Sequence, residues 1–349
     1  MRCIIGNKVL YVAVLFCLSK IACAENMALK KVFIANPSVP RVAYNIFENF
    51  VEVITSSGYD RESIIKGLSG ANVDALFWAG GVKLDKEILD TAGPQVKVVG
   101  TMSAGYNHID TALLKAKGIV LGNTPRVLDD AVADVALLLA MSASRRYTEG
   151  RRHIEEGTWI NFFNTQWMLG QDISGSTVGI VGLGNIGQAI AKRLKGFGVA
   201  KILYTGHREK PEGKELGAQF VNQDTLNRES DFIFLAAPLT NETNQMCNAD
   251  FFSKMKKTGI IVNISRGQLI DQAALIKALK DGEIFAAGLD VMDPEPLNRD
   301  SELLKLSNVV LTPHIGSATN NTRNAMAELT AKNILRGLGG EEMFTPVKL

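Results

Sequence analysis

The chain of 349 residues predicts an α/β fold built from two doubly wound parallel-sheet domains. Three observations carry that expectation. From Lys31 onward, short apolar runs alternate with helical segments, the pattern of a parallel sheet covered on both faces. A glycine-rich turn, Gly182-Leu183-Gly184-Asn185-Ile186-Gly187, joins one such run to an amphipathic stretch. A long helix of small apolar residues, 129–146, separates two sets of strands.

In the first set, residues 32–35, 75–79, 96–100 and 119–121 read as strands, with helical stretches at 42–53 and 111–117 between them. The separating helix can be capped by Asp129 or Asp130, and Ala133, Ala136, Leu137, Ala140 and Met141 share one face. Segment 155–171 is less regular and holds Trp159, Phe162, Phe163 and Trp167. Aromatics on a loop mark a subunit contact, the alternative being a loop folded over its own core.

The second set opens with a strand at 177–181 and the turn at Gly182, followed by a helix at 186–197 that buries Ile186, Ile190, Leu194 and Phe197. Further strands are expected at 202–204, 232–236, 260–264, 286–290 and 309–312, and a helix at 320–338. The last helix has no following strand, so it is assigned to the first domain. The expected organisation is a flavodoxin-like substrate domain, 27–124 plus 315–349, with a Rossmann-type coenzyme domain, 125–314, inserted in it and the ligand site in the cleft between them.

Residues 1–26 stand apart from this pattern. Arg2 and Lys8 precede an apolar run, 9–18, and Ala22-Cys23-Ala24 resembles a small-residue cleavage site. The run is too short for a membrane span and reads as a leader or signal peptide. Alternatively, Met27 begins the first domain. Three of the four cysteines lie in this segment, and only Cys247 lies in the body, which leaves no internal disulfide framework and suits the cytoplasm, with the secretory pathway as the alternative. A net charge of +2, from 38 basic and 36 acidic residues without a basic stripe, argues against a nucleic-acid partner.

The glycine turn has a strand before it and a helix after it. Gly182 allows the tight turn, Gly184 lets the backbone approach a pyrophosphate, and Gly187 permits helix–strand packing. A dinucleotide is therefore expected, with Leu183, Asn185 and Ile186 completing the site at a helix N-terminus that attracts phosphates. The next strand ends in Tyr204-Thr205-Gly206-His207-Arg208. An acid that would bind the ribose hydroxyls of NAD is missing there, and basic groups take its place. His207 and Arg208, with Lys210 a further candidate, suit a 2′-phosphate, so the expected cofactor is NADPH.

Three chemically distinct side chains follow apolar runs. Arg266, in Asn263-Ile264-Ser265-Arg266-Gly267, offers a planar fork for a carboxylate. Glu295, in Asp293-Pro294-Glu295-Pro296, and His314, in Thr312-Pro313-His314-Ile315-Gly316, form an acid–imidazole combination in which the carboxylate favours the protonated ring. Each alone is weak evidence. Together, downstream of a dinucleotide turn, they are the parts needed to reduce a 2-keto acid. His108 and His153 read as structural and exposed, respectively, and no cluster has metal-ligand spacing, so no metal is expected.

These motifs resemble the D-2-hydroxyacid dehydrogenase family from about Lys31 to the last residue. The resemblance rests on Thr101-Met102-Ser103-Ala104-Gly105, the glycine turn, the Arg266 motif, Gly288-Leu289-Asp290-Val291, Pro294-Glu295-Pro296 and Pro313-His314-Ile315-Gly316-Ser317. It extends to the glyoxylate- and hydroxypyruvate-reducing branch through Leu203-Tyr204-Thr205-Gly206 and Gly316-Ser317-Ala318-Thr319. By that resemblance Arg266 binds the substrate carboxylate with the amides of Ala104 and Gly105, Glu295 supports His314, and His314 donates the proton. Ile264 and Asp290 orient the nicotinamide carboxamide, and Gly316 lies near the cofactor. The resemblance implies a homodimer held by the aromatic segment, with no membrane. The family's Trp in that loop is replaced here by Phe162, which bears on substrate preference. Phosphoglycerate dehydrogenase would want an acid on the second coenzyme-domain strand, and formate dehydrogenase a Gln in place of Glu295. An NAD(H)-sensing corepressor on the same fold is the alternative from another functional class.

Overall fold

The computed structural model describes residues 29–159 and 164–349, which fall into two units. Unit 1 takes the described chain up to Gly100, His108–Gly122 and Thr330–Leu349. Its strands are β1 (Lys30–Ile34), β2 (Val51–Thr55), β3 (Ala75–Trp78), β4 (Val98–Thr101) and β5 (Val120–Gly122), interleaved with α1 (Arg41–Phe47), α2 (Arg61–Leu68), α3 (Lys86–Ala92) and α4 (Thr111–Lys117). The sheet order is β2-β1-β3-β4-β5, the flavodoxin-like order. Asp60, Asp85 and Asp110 cap α2, α3 and α4 by accepting from Ser63, Ile88 and Leu113 N–H, which satisfies donors that a helix start leaves open. Phe33, Leu76, Trp78, Val99 and Leu121 fill the core.

The expected helix at 42–53 is corrected here. It stops at Phe47, and a turn with Asn49 at φ 67° reverses the chain into β2, which pairs with β1 from Lys30↔Val51 to Ile34↔Thr55. Asn tolerates the left-handed conformation that breaks a helix, and Val51, Val53, Ile54 and Thr55 are β-branched residues that favour a pleated strand.

Unit 2 takes Thr101–Asn107 and Asn123–Leu329. It holds α5 (Asp129–Ser144), α6 (Tyr147–Glu155), β6 (Thr177–Val181), α7 (Asn185–Leu194), β7 (Lys201–Thr205), α8 (Pro211–Glu215), β8 (Ala218–Phe220), α9 (Gln223–Glu229), β9 (Phe232–Leu235), α10 (Ala249–Ser253), β10 (Ile260–Asn263), α11 (Gln272–Lys280), β11 (Ala286–Leu289) and β12 (Val309–Leu311). The order β12-β11-β10-β9-β6-β7-β8 is the dinucleotide-binding order with one added edge strand. Its ladders are parallel, so the C-terminal strand ends share one edge. The short strand β8 escaped the sequence reading. A final helix, α12 (Asn320–Leu338), passes from unit 2 into unit 1, where Thr330 and Ile334 pack against Gly100.

Helix α5 buries Val132, Ala133, Ala136, Leu137, Leu139, Ala140 and Ala143. Met141 is instead 42% exposed, a correction to the predicted face. Gly288 of β11 explains the tight seat: a Cβ there would lie 2.8 Å from Leu139 Cβ. The helix predicted at 186–197 is α7 followed by one 3₁₀ turn, Lys195–Phe197; Ile190 and Leu194 are buried, whereas Ile186 and Phe197 are only half-buried. Gly187 and Ala191 take the face against the sheet. The leader, Phe162 and Phe163 lie outside the described residues. Among the described residues no helix is long and apolar enough to cross a membrane.

Candidate active site

The C-terminal ends of β10, β11 and β12 and the segment Thr101–Asn107 gather most of the expected catalytic and substrate residues, all in unit 2. The turn after β10 is built by Asn263, which is fully buried at the end of an apolar strand. Its Nδ2 donates to Arg266 O at 2.8 Å, and its Oδ1 accepts from Ser265 N at 3.0 Å. Ser265 Oγ donates to Ala237 O in a short hydrogen bond, and Arg266 Nη1 donates to Ser265 O at 2.7 Å. Burial lowers the Arg266 guanidinium from its usual range and the Glu295 charge opposes that shift; the group stays protonated. In the sequence Asn263 only opens the Arg266 motif and carries no role of its own. A polar residue closing an all-apolar run was the available signal.

Two glycines let the arginine and the acid approach. A Cβ on Gly105 would lie 2.1 Å from Arg266 Nη2. A Cβ on Gly267 would lie 2.0 Å from Met292 O, so only glycine lets the Arg266 turn touch the backbone of the loop that carries Glu295. The Ala104–Gly105 segment is tied from behind: Asn123 Nδ2 donates to Ala104 O and Ser103 Oγ to Gly105 O, both at 2.7 Å.

His314 Nδ1 lies 2.8 Å from Glu295 Oε2. A carboxylate only accepts, so this partner assigns the proton to Nδ1 and directs Nε2 away from Glu295. The other oxygen, Oε1, accepts from Met292 N at 3.0 Å. Burial raises the Glu295 carboxyl, but the His314 hydrogen bond and charge, the Met292 N–H and the Arg266 charge outweigh it and hold it below its usual range. Glu295 is thus a carboxylate at neutral pH.

The His314 backbone is left-handed, at φ 53°, and Asp290 holds it there. His314 N donates to Asp290 O at 2.9 Å. The nearly inaccessible Asp290 carboxylate accepts from Thr312 Oγ1 at 2.6 Å and from Ile315 N and Gly316 N at 2.8 Å each. Gly316 lies against the same carboxylate. Arg323, in the first turn of α12, adds a charge toward Asp290. It too escaped the sequence reading. Ile264 is buried beside Asn263.

The dinucleotide turn lies at the end of β6, beyond β9 in the sheet. Gly182 has φ 93°, and a Cβ there would lie 2.8 Å from Ala237 N. Gly187 would place a Cβ 2.2 Å from Gly182 O, whereas a Cβ on Gly184 meets nothing within 4 Å. The turn is therefore tight behind and open at Gly184, where α7 begins. That arrangement fits a pyrophosphate held by Gly182, Leu183, Gly184, Asn185, Ile186 and Gly187. His207 and Arg208 are exposed after β7, on the opposite side of β6 from the Arg266–His314 group. Among the described residues no group of three or more His, Cys, Asp or Glu could hold a metal ion.

Residues 137–316 match the family model for the NAD binding domain of D-isomer specific 2-hydroxyacid dehydrogenases. The chain is 47% identical over 285 residues to human glyoxylate reductase/hydroxypyruvate reductase, covering 81% of this chain and 86% of that protein. It is 43% identical over 317 residues to the glyoxylate reductase of Pyrococcus horikoshii, covering 89% and 93%. Its fold is similar to the crystal structure of an NADPH-dependent glyoxylate/hydroxypyruvate reductase from Sinorhizobium meliloti in complex with NADP and malonate, with TM-score 0.80, 30% identity and coverage of 92% and 97%. It is also similar to the TT0316 protein of Thermus thermophilus, with TM-score 0.83, 36% identity and coverage of 91% and 100%. The fold, the strand-end residues and these likenesses agree: the chain belongs to the D-isomer specific 2-hydroxyacid dehydrogenase family.

Proposed function

We propose that the protein reduces small 2-keto acids with NADPH, glyoxylate to glycolate and hydroxypyruvate to D-glycerate. The observation that carries the reading is the 2.8 Å His314–Glu295 contact, on the same strand edge as the Arg266 guanidinium that rests on Gly105. The likeness to the human glyoxylate reductase/hydroxypyruvate reductase and the archaeal glyoxylate reductase supports the substrate class. The basic turn at His207 and Arg208, without an acid at the end of β7, supports NADPH over NADH.

The chain's own residues divide the work. Arg266 and the Ala104–Gly105 amides bind the substrate carboxylate and neutralise charge that builds on the reacting oxygen. When bound, a nicotinamide coenzyme would supply the hydride for the keto carbon. His314 Nε2 gives its proton to the oxygen, and the ring is left neutral with its remaining proton on Nδ1. Glu295 stabilises the imidazolium before transfer and keeps the ring in one orientation. Asp290 fixes the backbone from which His314 projects, and Ile264, Asp290 and Gly316 would be the residues on the nicotinamide side of a bound coenzyme.

The same reading includes a homodimer in the cytoplasm. Ile154 at 65%, Trp159 at 55% and Leu169 at 55% exposure support a subunit contact around segment 155–171. Steady-state rates with NADPH and NADH against glyoxylate, hydroxypyruvate and pyruvate test the activity. Negligible turnover of all three keto acids would refute it. Light scattering on the purified protein tests the dimer.

A further inference from the structure

In the seven-stranded sheet β6 lies between β7 and β9, so the loops after β7 and β9 flank the glycine turn. The β7 loop carries His207, Arg208, Glu209 and Lys210, and Tyr204 pins its end by accepting from Lys210 N at 2.9 Å. The β9 loop is a braced turn. Thr243 Oγ1 donates to Pro238 O and accepts from Thr240 N, at 2.7 and 2.8 Å, and Asn244 N donates to Thr240 O at 3.0 Å. Asn107 Nδ2 ties Leu239 O from outside, at 3.0 Å. Glu242 sits in this turn, and its Oε2 lies 3.9 Å from His207 Nε2, with both side chains more than 70% exposed.

We propose that Glu242 is a coenzyme-specificity determinant that opposes the 2′-phosphate at His207 and so restrains the preference for NADPH over NADH. This rests on the reading that His207 and Arg208 receive that phosphate. An exposed contact of this kind adds little to stability. Its effect on an incoming dianion is larger, because two negative charges meet one carboxylate. A phosphate hydrogen-bonded to His207 comes within roughly 7 Å of Glu242, and at that range in water the repulsion is worth about fivefold in affinity at low salt and about twofold at physiological ionic strength. NADH carries no phosphate at this position and escapes the penalty.

The test is direct titration of NADPH and NADH by nicotinamide fluorescence, without substrate, on the wild type, Glu242→Gln and Glu242→Lys. The expected result is an NADPH Kd about fivefold lower in Glu242→Gln at low salt, with the gain shrinking to about twofold at physiological ionic strength and the NADH Kd unchanged. Glu242→Lys should roughly square the gain. A wild type that prefers NADPH together with an unchanged Kd ratio in Glu242→Gln overturns the role of Glu242 alone. So does a rise in the NADPH Kd, which would make Glu242 a support for His207. A wild type that binds NADH more tightly overturns the NADPH reading itself, and this proposal with it.

Discussion

Gly105→Ala isolates the contact between Arg266 and the Ala104–Gly105 segment. Gly105 does not occupy the left-handed region, so an alanine there brings no backbone strain of its own. Its Cβ, however, would lie 2.1 Å from Arg266 Nη2, where ordinary contact begins at 3.4 Å. The guanidinium must therefore retreat by about 1.3 Å, the difference of those two distances, if the loop holds its place. The loop is held by the Asn123 and Ser103 hydrogen bonds, and the guanidinium by Ser265 O. A displacement of that size breaks the bidentate geometry on a carboxylate, worth about 2–3 kcal/mol as a charge-assisted interaction. The expected loss is about 30- to 150-fold in kcat/KM for glyoxylate at saturating NADPH. The NADPH Kd should not move. An alanine variant with wild-type kcat/KM would show that the guanidinium is not fixed over this segment.

His314→Asn should lower kcat by about 10²- to 10⁴-fold with an unchanged NADPH Kd, measured by steady-state rates and fluorescence titration. Glu295→Gln should slow turnover and lower the melting temperature near neutral pH. Because the Glu295 carboxyl is held below its usual range, its contribution is present above the unfolded value of 4.5 and lost as the pH falls through the folded one. The difference in melting temperature between wild type and Glu295→Gln should therefore shrink on acidification below that value; a difference independent of pH would contradict the assignment. Gly267→Ala forces a Cβ onto the Met292 carbonyl and should cost about 3 kcal/mol or more, read as a fall in melting temperature of roughly 5–10 °C together with lost turnover.

Strand cores were legible because each is a short apolar run between turn residues. Phe232-Ile233-Phe234-Leu235 and Ile260-Ile261-Val262 are fully buried, and their register follows from the parallel sheet. The helix over 320–338 appears with the same ends. The failures have local causes. Val51-Glu52-Val53 fit the preceding helical pattern, but the chain reverses before them at Asn49, through a backbone angle that pattern does not report. Met141 shares the helical spacing of Ala133 and Leu137, yet α5 turns Leu139 and Ala143 inward because Gly288 lets the helix seat closely at Leu139. In the site, Arg266, Glu295 and His314 stood out as chemistry-bearing types at strand ends. Asn263, Arg323 and Glu242 did not, because their roles depend on partners 3, 33 and 35 positions away that only folding brings near.

The left-handed backbone at His314 acts as a filter on what can occupy the position. A β-branched side chain would collide with its own carbonyl, and most others would cost about 1–2 kcal/mol before any chemistry is lost. Asparagine and glycine are the replacements that leave the chain path undisturbed. Mutational tolerance at this position should therefore rank by conformation when folding is scored, and collapse to histidine alone when turnover is scored.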